Sequence, residues 1–211
     1  MVLFLKNKLI TNAKSANLVF LAVDSPFYSL KSYYKMTSTY LTNEYEESEA
    51  CATRSAMWSI DHNAVYKRSL EILFPYSFVM LLFAHVETSF SAVCGLIKEQ
   101  RNLPFSIEVF NRGLSNRVKS FFGGFKLEGI HEEDIREISV FAKIRNNLVH
   151  ENGFIAQDKV KFLNLVKQQK GLLLDFDKSR IIIEMKYCQD RLKYFHNLFE
   201  RIFEENGLTD F

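Results

Sequence analysis

HEEDIREISVFAKIRNNLVHENG, residues 131–153, is the stretch whose reading decides the fold. Its acidic opening, Glu132, Glu133 and Asp134, complements the positive end of a helix dipole. Ile135, Ile138, Phe141, Ala142, Leu148 and Val149 recur at helical spacing and predict one core-facing stripe. Asn152-Gly153 supplies the stop, since both residue types accept the left-handed backbone that ends helices.

The flanking sequence extends the same pattern. From Phe27 to about Met57 there is neither Gly nor Pro, which predicts a long, polar helix opened by Ser25-Pro26. A break is expected at Ile60–Ala64. A second long helix then runs from about Lys67 to Gln100, kinked or divided at Pro75. A third covers about Ser106 to Phe122 and stops at Gly123-Gly124. Beyond residue 153 come a short helix at about Asp158–Lys170 and a hairpin in GLLLDFDKSRIIIEM. A closing helix at about Glu184–Asn206 has Met185, Cys188, Leu192, Phe195, Phe199 and Ile202 on one stripe. The expected class is all-α: a bundle of four to six helices with a small hairpin before the last. No linker or repeat interrupts it, so the expectation is one domain over 1–211, its bundle at about 27–206 and residues 1–25 an N-terminal extension.

Composition narrows the setting. The 20 Phe and nine Tyr predict an aromatic core or subunit contact. A net charge of +2 is too small to mark a nucleic-acid protein by itself, although it leaves room for a local basic groove. Cys51, Cys94 and Cys188 are scattered and odd in number, which favours a reducing cytoplasm over a disulfide framework. The apolar run Ile72–Val86 is short for a membrane span and reads as a core helix. There is no phosphate loop, no His-Glu-x-x-His, no nucleophile elbow and no paired CxxC, so enzyme classes with those motifs are disfavoured and no metal or cofactor is expected.

The chemistry points to RNNLVH, residues 145–150. Asn146 and His150 are four residues apart and share a helix face, with Arg145 to one side. A histidine can move a proton at the 2′-hydroxyl or the leaving 5′-oxygen of RNA. An arginine can hold a phosphate through two hydrogen bonds and stabilise the charge that develops on it. Asn146 could orient either group. A polar cluster that merely ends the helix is the competing reading. The spacing alone is weak, because Arg191 and His196 repeat it. That copy has no polar residue after the arginine and no helix end after the histidine.

An arginine, a polar residue, a short spacer and a histidine near a helix end resemble the motif of the HEPN superfamily. The resemblance spans about residues 30–206. It includes the earlier helix with HVETSF, whose Glu87 is similar to the family's acidic residue, and the hairpin followed by a closing helix. It implies a metal-independent endoribonuclease of a toxin–antitoxin or antiviral defence system, working as a homodimer with a composite active site. RNA is the implied substrate, and an antitoxin protein an implied partner. Arg145, His150 and Asn146 would be catalytic, with Glu87 supporting them. Arg112, Arg117, Lys119 and Lys143 would line the RNA path, unless they are ordinary solvated helix surface. Inactive members of the family serve as RNA- or protein-binding modules, which is the alternative.

Overall fold

Long stretches free of Gly and Pro become long helices. In a computed structural model, the chain forms α1 (Ser25–Ala52), α2 (Ser59–Arg68), α3 (Phe74–Arg101), α4 (Leu114–Phe125), α5 (Glu132–Glu151), α6 (Val160–Lys167) and α7 (Met185–Glu205). Strands β1 (Leu172–Leu174) and β2 (Ile181–Ile183) precede the last helix. The structure describes residues 23–52, 59–110, 113–177 and 179–208. The class is all-α, a helical bundle with a small antiparallel hairpin, as expected.

Two local expectations are corrected and one is located. Ile60–Ala64 is not a break but lies inside α2. The second long helix is interrupted beside Pro75, as expected: a single π turn, Ser69–Leu73, stands between α2 and α3 just ahead of it. The Phe74 N–H donates to the Ser69 carbonyl across that wide turn, which makes room for a proline ring that would collide with the tighter α ladder. Gly123-Gly124 does not stop α4, which begins at Leu114 rather than Ser106 and runs on to Phe125. Lys126, at φ 51°, takes the left-handed position instead. Leu127 N–H then donates to the Phe122 carbonyl at 2.9 Å.

The chain divides into two compact units, each built from several segments. Among the described residues, one comprises those within 23–28, 83–143 and 193–208, and the other those within 29–82 and 144–192. The first has an aromatic core in which Phe90 meets Phe199 at 4.8 Å and Phe141 meets Phe195 at 5.1 Å. Its buried polar centre is Asp134, 4 % exposed. That carboxylate caps the start of α5 by accepting the His131 N–H at 2.8 Å, and it also accepts from Tyr194 Oη at 2.6 Å and from Arg201. Burial alone would raise the Asp134 pKa, but these hydrogen bonds hold it below its ordinary value.

The second unit holds the hairpin. Leu172 faces Ile183 and Leu174 faces Ile181. Leu172, Ile181 and Ile183 are buried while Leu173 is exposed, the alternation a one-sided sheet requires. Tyr34 donates to the Met185 carbonyl at 2.7 Å and packs edge-on against Phe78.

Among the described side chains, Cys94 is a buried free thiol in the first unit and Cys188 one in the second. Burial pushes both pKa values up, that of Cys188 to about 12. The stretch Ala64–Arg101 is long and apolar enough, by length and composition, to cross a membrane. Phe78, Val79, Leu82, Val86, Phe90, Val93 and Ile97 along it are fully buried within the protein, while Leu73 and Leu81 are exposed.

Candidate active site

The end of α5 is held by its own backbone and by the hairpin. Asn152 (φ 51°) and Gly153 (φ 80°) turn the chain out of the helix. Phe154 N–H donates to the Glu151 carbonyl at 2.9 Å. Phe154 then bridges Arg180 in antiparallel fashion, and Ile181 N–H donates to the Gly153 carbonyl at 3.0 Å. Tyr76 closes the corner: its hydroxyl donates to the Ile181 carbonyl at 2.5 Å, while its ring fills the space a side chain at Gly153 would need. Burial pushes the Tyr76 phenol up to about 12, the Arg180 charge opposing that shift and Asp175 reinforcing it.

The asparagine doublet divides its labour by one step of helix rotation. Asn147 is buried, and its Nδ2 donates to the Phe154 carbonyl at 2.7 Å, tying the last turns of α5 to the chain that leaves them. Asn146 is exposed and accepts from Arg145 Nη1 at 3.0 Å. His150, four residues on, is exposed as well. Arg145 is half-buried. Leu148 faces the core as expected, but Val149 does not: it is 44 % exposed, because the rotation that buries Leu148 turns the next residue outward. Glu151, beside His150 in sequence, pairs with Lys159 at 3.1 Å.

The other expected residues are distributed differently. Glu87 belongs to the first unit, where it pairs with Arg117 at 2.9 Å. Lys119 pairs with Glu132 at 2.9 Å on an open surface. Two of the cations expected along an RNA path thus have carboxylate partners. Lys143 is exposed on α5. Arg112 lies outside the described residues, as do residues 1–22 of the expected N-terminal extension. In the second Arg-x4-His copy, Arg191 stacks over Tyr187, while His196 sits near Asp24 and Glu200, at 3.9 and 3.6 Å.

Sequence reading missed Asn147, Tyr76 and Arg180. Asn147 is chemically identical to its neighbour and differs only in the direction it faces. Tyr76 and Arg180 reach the helix end through tertiary contacts from distant parts of the chain. The one signal available was Asn152-Gly153, which marks a sharp corner that something must pack against. Among the described residues, no three His, Cys, Asp or Glu side chains cluster as metal ligands. No protein-family model, curated protein or solved structure matches the chain.

Proposed function

We propose that this protein is a metal-independent endoribonuclease of the HEPN type, with Arg145, Asn146 and His150 as its working residues. One observation carries the reading: the Arg145–Asn146 pair and His150 stand at the solvent-facing end of a helix whose termination is tightly built. Solvated polar groups on a rigid support suit substrate binding better than they suit core structure.

The chemistry is an internal transfer. The 2′-oxygen of the RNA attacks the adjacent phosphorus, and a histidine takes its proton. The bond from phosphorus to the 5′-oxygen breaks, and that oxygen leaves with a proton from a second acid. Arg145 binds the non-bridging oxygens as charge builds on them, and Asn146 holds its guanidinium in place. Two copies of His150, brought together in a homodimer, would supply base and acid at a composite site. The products are a 2′,3′-cyclic phosphate and a 5′-hydroxyl. A cytoplasmic toxin or antiviral effector, restrained by an antitoxin protein, is the role this activity fits.

The test is incubation of single-stranded and structured RNA with purified protein in the presence of a chelator, beside Arg145→Ala and His150→Ala. Cleavage to cyclic-phosphate ends by the wild type and its loss in both variants is expected. Cleavage that persists in both would overturn the assignment. The structural use of Asn147 inside the same motif favours one second reading, a non-catalytic RNA- or protein-binding module. Absence of cleavage by any folded form would select it.

A further inference from the structure

Arg180 differs from Lys159, the cation that pairs with Glu151 beside His150. Arg180 has no such ion pair among the described residues. Its guanidinium lies over the Phe154 ring, 4.4 Å from the centroid, and its Nε donates to the Asn152 carbonyl at 3.4 Å. Its backbone N–H is fixed by the Asp175 carboxylate at 2.9 Å. A cation held by a ring, a carbonyl and its own backbone has lost much of its freedom before any ligand arrives, so ordering it on binding costs little. The carbonyl that anchors it belongs to the residue two places beyond His150. Phe154, beneath it, remains 48 % exposed.

We propose that Arg180 and Phe154 form a subsite for single-stranded RNA at the His150 end of α5. The Nη groups of Arg180 take a phosphate, and Phe154 offers its ring to a neighbouring base. The pairing of a guanidinium outside any ion pair among the described residues with an exposed aromatic suits a flexible strand, which presents phosphates and unstacked bases together. A basic residue alone would suit any anion; the ring selects a ligand with a flat face. The choice of RNA rests on the ribonuclease reading, and the subsite would feed a strand toward Arg145 and His150.

The experiment is fluorescence anisotropy with a short single-stranded 2′-O-methyl RNA, which lacks the nucleophile and is not cut, titrated across a range of salt. Arg180→Gln should weaken binding about tenfold and reduce the salt slope by about 0.7, the share of one phosphate contact. Phe154→Leu should weaken it about tenfold without changing the slope. Arg180→Lys, which keeps the charge, should retain the wild-type slope. Circular dichroism and melting of each variant establish that it is folded. Wild-type affinity and slope in both Arg180→Gln and Phe154→Leu would overturn the subsite, as would failure of the wild type to bind. The two readings separate cleanly. If ordinary RNA is cut in a His150-dependent way while Arg180→Gln binds normally, only the subsite fails. If binding depends on Arg180 but nothing is cut, the ribonuclease reading fails and the subsite stands.

Discussion

Gly153→Ala is the sharpest single test of how the end of α5 is built. Gly153 adopts φ 80°, a conformation that strains an alanine by about 1 kcal/mol. A Cβ there would lie 2.0 Å from the Tyr76 hydroxyl oxygen and 2.7 Å from Cζ, so the ring must move. Tyr76 is 5 % exposed, and displacing a buried side chain in a packed core costs about 1–3 kcal/mol. The movement also breaks the Tyr76 bond to the Ile181 carbonyl, for about 1 kcal/mol or more. The loss should come to about 4 kcal/mol, a large share of a typical domain's stability. Urea denaturation followed by circular dichroism measures it. The reasoning also demands coupling: in a Tyr76→Leu background the obstructing phenol is gone, and Gly153→Ala should cost only the backbone strain of about 1 kcal/mol. A loss below about 1 kcal/mol in the wild type, or equal losses in both backgrounds, would refute this account of the corner.

Gly95→Ala should do the opposite, because Gly95 lies inside α3 with nothing within 4 Å of the added carbon. A stabilisation of about 0.5–1 kcal/mol is expected, read as a raised melting temperature. Asp134→Asn should destabilise by about 2 kcal/mol at neutral pH by weakening charge-assisted bonds. Since the pKa of Asp134 is depressed on folding, its contribution is complete above its ordinary value of 3.8 and is lost as pH falls through the folded value. The wild-type advantage over the variant, measured by urea titration from pH 7 downward, should therefore shrink only in that acid range. His196→Ala should leave RNA cleavage at the wild-type rate, because that histidine is occupied by Asp24, Glu200 and the Phe27 ring. Loss of cleavage there would move the site to the second motif.

What the sequence made legible followed from local backbone chemistry. The acidic start of α5, its stop at Asn152-Gly153 and the hairpin between two aliphatic runs rest on residues within a few positions of each other. Signals failed where an alternative local solution existed. Lysine took the left-handed cap expected of Gly123-Gly124, and the interruption expected at Ile60–Ala64 fell later, at the π turn ahead of Pro75. Partners were the least legible. Glu87, expected beside Arg145, holds Arg117 from α4. Arg180, in what reads as an ordinary turn, reaches the carbonyl at the end of the motif helix. Which carboxylate meets which cation depends on how helices far apart in sequence pack, and no short window contains that.

The two sunken cysteines turn the chain into its own instrument. A protonated thiol with no path to solvent does not react with an alkylating reagent, so Cys94 and Cys188 are modified only while their surroundings are open. Each belongs to a different compact unit. Peptide-resolved labelling over time would therefore run two clocks in one molecule. Matching rates would mean that the long helices passing through both units open as one cooperative body, and diverging rates that each half breathes alone.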